Sequence, residues 1–243
     1  MYLTRPQSKY FDPRRFADAA ATSNQFDWDL YYRFKDARDD FWLDQLDVAS
    51  EFRCEALRHS KDFDASAERT RGMLALPTAS AAPAVLDVGL SSEKLDGNLI
   101  DRLGARVTVV DVQSAAQAYL SAQLPGSRFV IGDVIDLCHD PDHAGTYDLV
   151  YSIGLVEHFP DKSVIVNAHR QLARPGALVL LYVPIDSEVN RRLTAMAPDL
   201  ENFGYRELLT PEELAESCLV PGLEIVALES VGLFAALWAR RTV

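Results

Sequence analysis

From Ala84 to Pro184 the chain repeats one pattern, a short apolar run followed by a stretch of helical period, and the first runs close on an acid or a glycine. AVLDVG (84–89), RVTVVD (106–111), RFVIGD (128–133) and YDLVYSI (147–153) read as strands. ALVLLYVP (177–184) is apolar almost throughout, as a strand covered on both faces must be. Between them, EKLDGNLIDRL (93–103) stops at Gly104 and AAQAYLSAQL (115–124) at Pro125-Gly126. A helix from Lys162 to Ala173 is closed by an Arg174-Pro175-Gly176 turn. Thr210-Pro211-Glu212-Glu213 has a Thr cap, Pro at the first helical position and Glu at the third, the opening of a capping box. That helix ends before Pro221, and two strands follow near 223–230 and 233–240. Strands separated by helices are joined by crossovers rather than hairpins, so the predicted fold is α/β with a doubly wound sheet.

The segment before this pattern is different. Leu30, Phe34, Ala37, Phe41, Val48 and Phe52 recur at helical spacing, widened by Trp42, Leu46 and Ala49, and predict a long or broken amphipathic helix over 27–59. A shorter helix is expected from Ser66 to Leu76. PTASAAPA (77–84) reads as a linker, which sets the expected division: a helical cap over 1–80 and a sheet domain over 81–243. Formal net charge is −12 and no basic cluster is visible, so a nucleic-acid partner is not expected. Cys54, Cys138 and Cys218 have no metal-type spacing and read as reduced thiols; no metal is expected. With no signal-peptide h-region and no apolar run near 18 residues, the expectation is a soluble, cytoplasmic protein with no membrane partner.

In such folds ligands sit at the carboxyl ends of the strands, beside the point where strand order reverses. Asp87 and Gly89 end the first strand and Asp111 the second. An acid about 20 residues beyond the first turn suits a bidentate hold on ribose hydroxyls. Asp133 follows the third strand, and SIGLVEHFPD brings Ser152, Glu157 and His158 to the same rim. Each has a plainer reading. Asp111 and Asp133 could cap the next turn, and Glu157 and His158 could be a helix-entry charge and a surface imidazole. His158 is nevertheless a candidate proton acceptor, because imidazole titrates near neutrality. His139, His143 and His169 are read as solvated, and His59 as a charge at a helix end.

VLDVG, VTVVDV, IGDVIDL, YDLVYSIGLVEHFPD and LARPGALVLLYVP, in this order and spacing, resemble the class I S-adenosylmethionine-dependent methyltransferases. The likeness covers about residues 84–184, and GYRELLTPEELAESCLVPGLEIVAL is similar to that family's ending. It implies a Rossmann-like seven-stranded sheet with the last strand antiparallel, and S-adenosylmethionine as cofactor. Residue by residue, it implies Asp87 and Gly89 under the methionine moiety and Asp111 on the ribose. Asp133 with Val134 would flank the adenine, and Ser152 would lie below the sulfonium. The Glu157-His158-Phe159 segment would line the substrate side, with His158 and Glu157 orienting or deprotonating a small-molecule O or N acceptor. An N-terminal helix lids the cleft in this family, so Tyr31, Tyr32 and Arg33 could face substrate; the bland alternative is that these aromatics are core.

The first turn departs from the family. Ser91 and Glu93 stand where its second and third glycines belong, and the stretch from Asp87 to Ala105 is about one residue longer. The second glycine allows close approach of a ligand and the third lets helix pack on strand. Glu93 could pair with the cofactor's ammonium, or its carboxylate could occupy the helix N-terminal donors itself. Two functions therefore remain: a small-molecule methyltransferase, or a protein of that fold that has lost methyl transfer and serves as a non-catalytic partner or reuses the cleft. A nicotinamide-dependent dehydrogenase would need the same missing glycines. Self-association and pairing with an active methyltransferase are both open.

Overall fold

The computed structural model describes residues 64–74, 82–89, 93–113, 117, 124–188, 190–191 and 205–242. The helix expected over 27–59, most of that over 115–124, and Tyr31, Tyr32, Arg33, Ser91 and Ser92 lie outside the described residues, as does the Glu93 side chain.

The described chain forms a seven-stranded sheet. Helix α1 (64–73) precedes β1 (Ala84–Val88), α2 (Glu93–Leu103), β2 (Arg106–Asp111) and β3 (Arg128–Ile131). Then come α3 (Val134–Leu137), β4 (Tyr147–Ile153), a 3-10 turn (Val156–His158), α4 (Lys162–Leu172) and β5 (Ala173–Pro184). Helix α5 (Pro211–Ser217), β6 (Leu223–Val231) and β7 (Phe234–Arg241) complete it. The order across the sheet is β3-β2-β1-β4-β5-β7-β6. All pairs are parallel except those of β7, which runs antiparallel to both β5 and β6. Order reverses between β1 and β4, so the crevice for a ligand opens at their carboxyl ends.

The strands alternate because each face is covered. Leu86, Val88, Val150, Val179 and Leu181 turn to the layer that includes Ile165, Val166 and Leu172 of α4 and Leu214 of α5. Val85, Val107, Val109, Leu149, Leu178, Leu180 and Trp238 turn to the other layer, with Leu99 of α2 and Ala67 and Leu74 of α1. Polar anchors fix α1 there: the Trp238 indole N–H donates to Thr70 Oγ1 at 3.0 Å, and Ser66 Oγ bonds the Tyr182 hydroxyl. Helix α1 is thus a layer on the sheet face, although it lies before the linker at which sequence divides the chain. No described helix is long and apolar enough to cross a membrane.

Local expectations held at several ends. Helix α2 stops at Gly104, which adopts φ +62° and donates to the Ile100 carbonyl. The Arg174-Pro175-Gly176 turn is different: β5 starts at Ala173, paired with Tyr147, and the register then jumps to Leu149 opposite Leu178. The turn residues are a bulge inside one long strand, with Pro175 and Gly176 exposed where no ladder bond is lost.

Helix α5 has the complete capping box, Glu213 N–H donating to Thr210 Oγ1 at 3.2 Å and Thr210 N–H to Glu213 Oε2 at 2.8 Å. Thr210→Ala should cost about 1 kcal/mol and lower the thermal midpoint by about 2–4 °C, measured by calorimetric melting. An unchanged midpoint would show that the helix does not depend on this cap.

Candidate active site

The first turn leaves β1 through Gly89, whose φ of +88° favours glycine and whose N–H donates to the Val110 carbonyl. Among the described residues nothing lies within 4 Å of where a Cβ on Gly89 would sit. Asp87, one pleat below, is wholly buried. It faces Tyr151, its register partner on β4, and Tyr151 donates its hydroxyl to Asp96 Oδ1 of α2 at 2.7 Å. Burial, then the Asp87 and Asp96 carboxylates, hold the Tyr151 phenol well above its usual range, so it remains a donor. Sequence reasoning passed over Tyr151 and Asp96. The signal was an acid on the buried side of α2, with Leu99 one turn on.

Asp111 ends β2 beside Ile131, its partner on β3. Its Oδ1 accepts from Gln113 N–H at 2.7 Å, and burial pushes the carboxyl up against that bond. Asp133 Oδ1 accepts from Ile135 N–H and caps α3, with Val134 buried just inside. The capping readings of both acids are therefore realised, and Asp111 takes a second backbone bond, from Val112. Beside them, Val112 and Ile131 are large apolar side chains 48% and 55% exposed. Sequence analysis missed this pair, because an exposed valine or isoleucine at a strand end looks like any strand residue.

Ser152, next to last in β4, turns its side chain to the α4 layer, where its Oγ lies 3.0 Å from His169 Nε2. His169 Nδ1–H donates to the Ile165 carbonyl at 2.8 Å, which leaves Nε2 to accept the serine proton. His169 is fully buried rather than solvated, and burial lowers its pKa to about 4. His143 is also buried, with Nδ1 2.6 Å from the Tyr147 hydroxyl; His139 is exposed as expected. A histidine in an amphipathic helix gives no sign of which face it occupies until the partner strand is known.

Glu157 and His158 are neither an exposed helix entry nor a surface imidazole. They are 1% and 4% exposed in the 3-10 turn after β4. A strap, residues 205–209, lies across them. His158 Nδ1–H donates to the Tyr205 carbonyl at 3.0 Å, and Glu207 N–H donates to the Glu157 carbonyl at 3.1 Å. Lys162 binds the Glu207 carboxylate, which also accepts the Tyr205 hydroxyl at 2.7 Å. Burial, with Arg206 adding to it, lowers His158 to about 3. Burial raises Glu157 to about 7, although Arg206 and Lys162 pull the other way. His158 Nε2 and Glu157 Oε1 are 3.7 Å apart, but with a neutral imidazole this is no ion pair. Lys162, Arg206 and Glu207 were not singled out from sequence, since a strap some 45 residues away leaves no local pattern. Among the described residues no group of three or more metal-ligating side chains is gathered.

A family model described as a methyltransferase domain matches residues 59–228. Trans-aconitate 2-methyltransferase of Deinococcus radiodurans is 29% identical over 187 residues, 69% of this chain and 69% of that protein. Ubiquinone biosynthesis O-methyltransferase of Aromatoleum aromaticum is 28% identical over 165 residues, 61% of this chain and 67% of that protein. Among solved structures, Burkholderia thailandensis 1,6-didemethyltoxoflavin-N1-methyltransferase with bound 1,6-didemethyltoxoflavin and S-adenosylhomocysteine matches 99% of this chain and 94% of its own, with TM-score 0.55 and 19% identity. The [4+2]-cyclase SpnF matches 74% and 82%, with TM-score 0.53 and 15% identity.

The buried groups set a pH dependence of stability. Glu157 binds a proton more tightly folded (about 7) than unfolded (about 4.5), so its contribution falls as pH rises through that window. His158 and His169, lowered to about 3 and about 4, act oppositely: their contribution is complete above about 6.5 and is lost as pH falls. Glu157→Gln removes the first effect and adds an offset that does not vary with pH. From about pH 4.5 to about pH 8 the variant should gain on the wild type by on the order of 3 kcal/mol, read from urea midpoints. An equal difference at both pH values would contradict the raised carboxyl.

Proposed function

Because the chain belongs to the class I S-adenosylmethionine-dependent methyltransferases, we propose that it methylates an oxygen or nitrogen of a small molecule. The observation that carries this is the meeting, at the β1/β4 switch point, of the Gly89 turn, with φ +88° and no described atom within 4 Å of a Cβ there, and the buried Glu157-His158 turn at the end of β4. Bound S-adenosylmethionine supplies an electrophilic sulfonium methyl. The protein's part is to hold donor and acceptor in line, which can lower a barrier by several kcal/mol, on the order of 7–11 in the best-oriented cases.

Asp87 and Gly89 would support the methionine moiety, and Asp111 would take the ribose hydroxyls. Asp133 and Val134 would flank the adenine, whose faces the exposed Val112 and Ile131 suit. Ser152 would act from below by fixing α4 to β4 through His169, not by touching the cofactor. The Glu157-His158 turn would line the acceptor's side of the cleft, and Tyr31, Tyr32 and Arg33 of the N-terminal segment would face substrate. The net charge of −12 and an acidic pI near 4.8 support a small molecule over a polyanion. A second reading, a cleft that has lost methyl transfer, is favoured by Ser91 and Glu93 in place of glycines.

Calorimetry with S-adenosylmethionine and S-adenosylhomocysteine separates the two. We expect binding of both, weakened at least tenfold (about 1.4 kcal/mol) by Asp111→Ala. His158→Ala should leave that affinity in place and lower turnover. Dissociation constants above about a millimolar for both ligands would remove the methyltransferase reading. If Ser91→Gly with Glu93→Gly then raised affinity by well over tenfold, a blocked turn would be the reason.

A further inference from the structure

Glu157 has a feature that the reading so far does not use. Its carboxylate is buried, and Oε2 has no hydrogen-bond partner among the described residues. Oε1 lies 3.5 Å from where a Cβ on Gly154 would sit, directly after the last residue of β4, and Gly154 has φ +71°. A carboxyl oxygen buried without a donor costs on the order of 1–3 kcal/mol or more, yet this one stands at the carboxyl end of a central strand, beside the switch point. His158 next to it is committed elsewhere, its Nδ1–H spent on the Tyr205 carbonyl.

We propose that Glu157 rather than His158 receives the acceptor's proton, and that the acceptor is a neutral hydroxyl or amine rather than a carboxylate. This rests on the methyltransferase function proposed above. An O–H or N–H of the acceptor completes the missing bond at Oε2, whereas a second anion beside a buried carboxylate is disfavoured. In the step, the acceptor's lone pair forms a bond to the methyl carbon while the C–S bond breaks, its electron pair staying on sulfur. The acceptor's proton passes to Glu157 Oε2, and from there to water as product leaves. The charged groups acting on Glu157 are Lys162 of α4 and Arg206 of the strap, with His158 Nε2 on its own turn 3.7 Å away, and Lys162 is itself bound to Glu207, which also accepts the Tyr205 hydroxyl. Their balance with burial leaves the carboxyl near 7, where a base is most effective at neutral pH, while the imidazole near 3 is a weak one. His158 is then a positioning residue that ties the turn to the strap.

The test begins with infrared titration of the full chain bound to S-adenosylhomocysteine. A protonated-carboxyl band should vanish with a midpoint near 7 and be absent from Glu157→Gln. Turnover of S-adenosylmethionine is then followed as S-adenosylhomocysteine release, with catechol, benzylamine and benzoate as acceptor probes. We expect turnover with catechol or benzylamine and not with benzoate. Glu157→Gln should lower it by about a hundredfold or more without loss of S-adenosylhomocysteine affinity, and Glu157→Asp should restore part of it. His158→Gln, whose amide can still donate to the Tyr205 carbonyl, should recover part of what His158→Ala loses and leave the pH midpoint unmoved. Glu157→Gln turnover within tenfold of wild type, methylation of benzoate alone, or no turnover with catechol and benzylamine would each overturn the proposal. Failure of the wild type to bind S-adenosylhomocysteine would instead overturn the function beneath it.

Discussion

Everything in this protein hangs on the parallel pairing of β1 with β4. Parallel neighbours need crossovers, so β2 and β3 extend the sheet one way from β1 while β5, β7 and β6 extend it the other. The helices that follow β1 and β4 therefore pack on opposite faces, α2 with Leu99 in one layer and α4 with Ile165 in the other, the arrangement beside which ligands bind in such sheets. One loop begins with Gly89 and runs to α2; the other carries Glu157 and His158 and runs to α4. No binding residue has to create the cleft, because the change of winding direction creates it.

Burial on both faces then determines how polar groups at the rim behave. Asp87 is held below the turn against Tyr151 and Asp96, and Ser152 is drawn into the α4 layer by His169. Side chains one residue apart on β4 leave on opposite faces, so Tyr151 and Ser152 serve different layers although they are neighbours in sequence. What reaches the rim comes from the strand ends, as Asp111 and Ile131 do, and from the loops, as Glu157 and His158 do.

That division explains what could be read from sequence. Strand and helix spans followed from period, and several ends matched to the residue, as in YDLVYSI and EKLDGNLIDRL. Gly104, Thr210 and the antiparallel last strand were also legible, the first two from local chemistry and the third from family likeness. Side-chain destinations were not. Whether Ser152 meets a ligand or a histidine, and whether His158 is exposed or covered, depends on α4 and on the 205–209 strap, which contact them only after folding. The Arg174-Pro175-Gly176 bulge was misread for a related reason: turn-forming residues signal a change of direction, and only the ladder reveals that the strand continues past it.

The position of β7 has a consequence for how the chain reaches this state. Strand β7 is inserted between β5 and β6, so among the described residues β6 has no neighbour in the sheet until β7 is made. One anchor of helix α1 waits as well, since Thr70 finds its indole partner 168 positions later, on that same strand, although Ser66 already meets Tyr182 of β5. During synthesis, therefore, the early βαβ units can assemble while one edge of β5 stays open. Closure is a late, long-range event, of the kind that is slow and leaves an unpaired strand edge exposed in the meantime. A chain without Phe234–Arg241 would keep Gly89, Asp111 and Glu157 and lose the strand that joins β6 to β5.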